Sequence, residues 1–103
     1  SPALVNPDLS AFTVDRLLFH VEHTTTDDKT LTYSTRVDDG NWTDDRTMIL
    51  NYRPGEYTLP TESLAMPSTC RKFQMRITEF PSGLTLKDIL MTSTRKNIDD
   101  YTA

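Results

Sequence analysis

The chain has 103 residues, enough for one domain with a single core and too few for two. With 36% apolar and 25% charged residues and a mean hydropathy of −0.51, it reads as an ordinary soluble domain, and no apolar run approaches the roughly 18 residues needed to span a bilayer. A net charge of −4 with scattered Lys and Arg disfavours a nucleic-acid surface, because phosphate affinity comes from clustered cations that release counterions.

Cys70 is the single cysteine, so the fold must stand on its core rather than on disulfides. The chain starts at Ser1 without a methionine, which leaves excision from a longer protein open. Seventeen threonines are far more than a helical protein uses, since β-branched side chains favour the pleated sheet.

Residues 1–11, with Pro2, Asn6 and Pro7, show no period and read as an arm or linker. Phe12 to His23 opens the domain proper. Phe12 and Val14 share one phase and Leu17, Phe19 and Val21 another, so a β-bulge is expected near Asp15-Arg16. A polar turn follows, and Thr30 to Asp38 alternates strictly, with Leu31, Tyr33, Thr35 and Val37 on one side and Thr32, Ser34 and Arg36 on the other.

Asp38-Asp39-Gly40-Asn41 ends that strand. Asp-Gly is a strong hairpin signal because glycine accepts the positive φ of the turn, and Trp42 just after it is the expected large anchor of the core. Met48 to Leu50 gives a short strand. Arg53-Pro54-Gly55 fits a type II turn into Glu56 to Leu59. Ser63 to Met66, between Pro60 and Pro67, can be at most an edge segment.

Arg71 to Glu79 has the clearest alternation, with Phe73, Met75 and Ile77 inward and Lys72, Gln74, Arg76 and Thr78 outward. After Pro81-Ser82-Gly83, Leu84 to Thr94 supplies one or two final strands. A helix from Thr85 would also fit the spacing, but Thr92-Ser93-Thr94 favours strand. Residues 97–103 read as a tail, so the domain is placed at 12–96. The whole predicts an all-β fold, an antiparallel β-sandwich of immunoglobulin-like or jelly-roll form with about seven strands.

Little in the chain speaks for catalysis. His20 and His23, three apart on a strand, project to opposite faces and cannot share a pocket without a bulge. Cys70 reads as a passive thiol. One cysteine and two histidines fall short of a structural zinc site. Asp38, Asp39, Asn41, Asp44 and Asp45 are close together but do not match the spacing of a calcium loop. No catalytic residue, metal or cofactor is assigned. Asn41-Trp42-Thr43 is a glycosylation sequon, and Tyr52, Tyr57 and Trp42 could form a platform for sugars.

Read in order, Phe12 to Leu17, Val21-Glu22, Asp39-Gly40-Asn41-Trp42, Gly55-Glu56-Tyr57 and Arg71 to Thr78 resemble the closing β-modules of packaged-DNA stabilisation or head-tail hub proteins of short-tailed bacteriophages. Tyr33, Asp39-Gly40, Trp42 and Pro54 to Leu59 are also similar to immunoglobulin-like and fibronectin-like modules. The first resemblance implies a non-catalytic structural module of a virion, in contact with other protein subunits. The second implies a secreted or cell-surface module binding carbohydrate or a protein. The surface expected to carry contacts comprises Arg71, Arg76, Tyr52 and Tyr57.

Overall fold

A computed structural model describes Ala3–Val5, residues 11–66 and residues 69–95. The described chain is all strand, turn and loop, with no helix. The elements are β1 (Ala3–Val5), β2 (Phe12–His23), β3 (Lys29–Val37), β4 (Arg46–Leu50), β5 (Glu56–Pro60), β6 (Lys72–Glu79) and β7 (Leu84–Arg95). The six longer strands make two antiparallel sheets of three, β6-β3-β4 and β5-β2-β7, and the three-residue β1 adds to the first beside β6. Ala3–Val5 was expected within an arm, but pairing with β6 gives its backbone a partner that local periodicity does not reveal. The expected tail at 97–103 lies outside the described residues. Strand order differs from the A-B-E-D and C-F-G sheets of immunoglobulin constant domains.

β2 is the spine of the second sheet, and its burial follows its sequence phase. Phe12, Val14, Leu17, Phe19 and Val21 are all buried. The slip between Val14 and Leu17 is a bulge, where the pairing with β7 jumps from Val14↔Ser93 to Arg16↔Thr92. Threonine hydroxyls take up the backbone groups that the bulge displaces. Arg16 N donates to Thr92 Oγ1 at 3.1 Å, and Leu17 N donates to Thr61 Oγ1 at 3.1 Å. The bulge thus keeps the Arg16 and Leu17 N–H groups paired.

The inward faces of both sheets share one core. Leu31, Tyr33, Met48, Leu50, Phe73 and Met75 meet the β2 row, with the Phe19 and Tyr33 rings 6.0 Å apart. Ile77, Leu86, Ile89 and Met91 pack partly buried against it. Leu84 onward is one long strand and not a helix, because β2 offers it a full ladder.

The β3–β4 turn corrects the sequence in a specific way. Asp38 and Asp39, with φ of 50° and 59°, hold the two left-handed positions, and Gly40 N donates to Val37 O at 2.8 Å. The tight turn therefore sits one residue earlier than Asp39-Gly40 suggests. Aspartate tolerates this conformation better than most residues. Val37, expected inward, is 37% exposed at the strand end. Gly55, at φ 79°, does occupy the position that a type II turn requires.

Candidate interaction surface

Trp42 does not anchor the core. It is half-buried on the outer face of the first sheet, where the Arg76 guanidinium lies 4.3 Å and that of Arg36 4.8 Å from its ring centroid. Gly40 to Asp45 runs beside β3 rather than in regular register, tied by Thr43 N to Thr35 O at 2.8 Å and Thr35 N to Thr43 Oγ1 at 3.1 Å. Because Thr35 faces inward, this leaves Trp42 on the opposite face.

The two arginines are held from below. Arg36 Nε donates to Gln74 Oε1 at 2.7 Å and Arg76 Nε to Ser34 Oγ at 2.9 Å. Ser34, on the face expected to be wet, is fully buried beneath this layer. The Nε–H of each guanidinium is thus spent on the sheet, and the stack with Trp42 is worth about 0.5–1 kcal/mol per cation at an exposed site. Arg76 has no carboxylate within ion-pair distance among the described residues, whereas Arg36 has Asp39 at 3.9 Å.

Asp38 and Asp39 fasten this end of β3 to β6. Asp38 Oδ1 accepts from Arg71 N at 2.8 Å and Lys72 N at 3.0 Å, and Asp38 N donates to Lys72 O at 2.9 Å. Lys72 Nζ meets Asp39 Oδ1 at 2.8 Å, and this hydrogen bond and charge, with Arg36 adding, hold the Asp39 carboxyl below the usual range. Arg71 itself is exposed. Asp38 and Asp39 are therefore turned toward cations and backbone, and among the described residues no group of three or more His, Cys, Asp or Glu is placed to hold a metal ion.

Tyr52 and Tyr57 stand elsewhere. Tyr57 Oη donates to Asn51 O at 3.0 Å and lies 2.6 Å from His23 Nε2, while His23 Nδ1 is 3.1 Å from Asp27 O. His23 is stacked on Tyr57, meets Tyr52 edge-on, and Arg53 covers Tyr57 at 4.9 Å. Burial raises the Tyr57 hydroxyl above the ordinary phenol range against the opposing charge of Arg53. Tyr52 N donates to Asp28 Oδ1 at 2.7 Å, which fixes this cluster at the Lys29 end of β3. From Asp28 to Ser34 and on to Asp38 is roughly 20–33 Å at about 3.3 Å per residue. The four residues singled out from the sequence thus do not form one patch: Tyr52 and Tyr57 cluster together, Arg76 stands over Trp42 and Ser34, and Arg71 lies apart at the Asp38 turn. Arg36 joins Arg76 at the Trp42 ring. Strict alternation already put Arg36 on the same face as Arg76, and only the assumption that tryptophan goes inward hid the rest.

The histidines do face opposite ways. His20 is on the outer face of the second sheet, 2.8 Å from Thr58 Oγ1 and 3.9 Å from Glu56. Cys70 is 2% exposed beside Phe12, and burial, with Asp38 adding, pushes its thiol up to about 11. A thiol so placed is protonated at neutral pH and shielded from electrophiles. We expect iodoacetamide at pH 8 to leave the native chain unlabelled while labelling it fully in urea; equal rates in both would refute the buried, protonated thiol. Since the unfolded thiol ionises near 9, its contribution to stability is complete below that pH and is lost as pH rises from 9 through about 11.

A cleft of about 570 Å³ opens between the edges of β4 and β5, lined by Tyr33, Arg46, Met48, Ile49, Leu59 and Thr61 among others. Arg46 reaches across it to Ser63 O and Leu64 O at 3.4 Å each, so the cationic head is tied to backbone carbonyls. Thr47 and Glu62 line it too, and the Thr61 hydroxyl is already engaged by Leu17 N and Glu62 O. In comparison with known proteins the chain matches no family model, no curated protein and no solved structure.

Proposed function

We propose that this chain is a non-catalytic interaction module, a β-sandwich whose two sheets enclose one core, that contacts other protein subunits within a phage virion through the outer face of the β1-β6-β3-β4 sheet. The observation that carries it is the Arg36–Trp42–Arg76 stack. Tryptophan and arginine are the residues most enriched where binding energy concentrates. Here both guanidiniums are oriented by Gln74 and Ser34 before any partner arrives, which lowers the ordering cost of association. Exposed Arg71 lies just before β6, its N–H held by Asp38, and does not share the Arg76 phase. The virion setting rests on the resemblance to head-tail hub modules.

The alternative, a secreted or cell-surface module that stacks sugars on Tyr52 and Tyr57, has less support. His23 and Arg53 both lie against the Tyr57 ring, leaving Tyr52 as the more open of the two.

The test is to purify particles from the natural source, treat them with an amine cross-linker and sequence the linked peptides. Lys72 sits beside the stack, and its links to a second particle protein are the expected result. Recovery of the chain only as a free protein, outside any particle, would reject the reading. In a reconstituted pair, Arg76→Ala is expected to weaken binding about tenfold, the size of an ordinary interface contact, measured well below an unfolding midpoint that itself falls because Ser34 Oγ loses its partner; unchanged affinity would reject the stack as the contact.

A further inference from the structure

We infer that two copies of this chain associate edge to edge through β7, antiparallel about a two-fold axis at Leu90, joining their three-stranded sheets into one of six. This goes beyond the outer-face reading and uses a different surface.

β7 is a twelve-residue edge strand without proline, the longest edge among the described residues. The other edges are short or occupied. β1 has three residues, β4 is crossed at one end by Arg46, and β5 ends at Pro60. Long uncovered edges are templates for a further strand.

Backbone parity fixes which groups of β7 are available. Leu17 N and Leu17 O both bond Thr61, on the β5 side of β2. Leu18 therefore turns its backbone to β7, where its partner is Leu90. Ile89 and Met91 then present N–H and C=O to the free edge. In agreement on direction, Ile89 N turns outward to the carboxylate of its own neighbour, Asp88 Oδ1, at 2.8 Å, a local cap that a carbonyl of the second copy displaces.

Leu90 is 51% exposed on the outer face, next to half-buried Leu18, while Ile89 and Met91 are only partly buried on the inner face. An axis through Leu90 sets Leu90 against Leu90 of the second copy and Ile89 against Met91, twice. Both faces then match apolar to apolar, and the outward backbone groups of Ile89 and Met91 become the bonded pair. Asp88 meets Thr92, and no like charges are opposed. An axis at Asp88 would oppose two carboxylates. Axes at Ile89 or Met91 would set Leu90 against Asp88 or Thr92. Like charges directly opposite destabilise a sheet, so the sequence of β7 itself selects the register.

The experiment is sedimentation velocity of the full chain over a concentration series. A reversible monomer–dimer equilibrium is expected, and a chain that stays monomeric up to about 1 mM, the weak end of specific binding, overturns the inference. Leu90→Lys, at a solvent-exposed position that spares the fold, is expected to weaken the dimer about tenfold or more, whereas Ile49→Lys on the other sheet leaves it unchanged. The reverse pattern assigns the dimer to another face and rejects β7. Register is read by cysteine cross-linking. Two Leu90→Cys copies face each other at a non-bonded pair, with Cα atoms about 4.5 Å apart, and oxidise to a covalent dimer. Thr85→Cys copies lie ten residues out of register and do not. Equal cross-linking of both variants excludes the Leu90 axis.

Discussion

Replacing Asp38 by alanine is expected to destabilise the protein by about 2–4 kcal/mol, read as a shift of the urea midpoint at unchanged slope. Two effects add. The side chain accepts two backbone hydrogen bonds, from Arg71 and Lys72, that lock the start of β6 to the end of β3. The residue also stands at φ 50°, where alanine pays about 1–2 kcal/mol in steric strain. Two companions separate the terms. Asp38→Asn keeps an acceptor and a residue suited to the left-handed region, and should lose less than about 1 kcal/mol. Asp38→Gly relieves the backbone but removes the acceptor, so it should fall between. An alanine variant as stable as the parent would mean that the turn does not hold this end of the sheet. The consequence reaches the surface above, since Trp42 and Arg76 are placed by the same turn and strand.

At the opposite end, Tyr57→Phe is expected to cost about 1–3 kcal/mol, although it removes a single oxygen atom. That atom joins His23 to Asn51 O. Without it the His23 ring, 9% exposed, loses its Nε2 partner in a place where water reaches poorly, and the 51–55 turn loses its tie to β2. The ring stack with His23 and the Arg53 contact remain, so a loss near zero would show that stacking rather than hydrogen bonding holds the cluster. Thermal unfolding of the variant, with near-ultraviolet circular dichroism to report the tyrosines, measures both.

Periodicity and turn chemistry alone determined most of the scaffold. The alternation at Thr30 to Asp38 and Arg71 to Glu79 set the inward rows Leu31, Tyr33, Thr35 and Phe73, Met75, Ile77, with Val37 alone exposed at the strand end, because a side-chain period of two leaves little freedom once one face is buried. The phase slip at Asp15-Arg16 disclosed the bulge in β2, and Pro54-Gly55 its type of turn. Opposite faces for His20 and His23 followed from the same period. Those are local constraints, and local residues carry them.

Tertiary structure decided what depended on a partner strand. Ala3–Val5 is a strand only because β6 offers an edge, and Leu84–Arg95 is extended only because β2 supplies the ladder. Trp42 could have gone inward by hydrophobicity. Instead two arginines that alternation sent outward, from different strands, meet over Ser34 and give the indole a cationic bed on the outside of the sheet. The separation of Arg71 and Arg76 from Tyr52 and Tyr57 is likewise a matter of which end of β3 each loop reaches, and no local rule carries that distance.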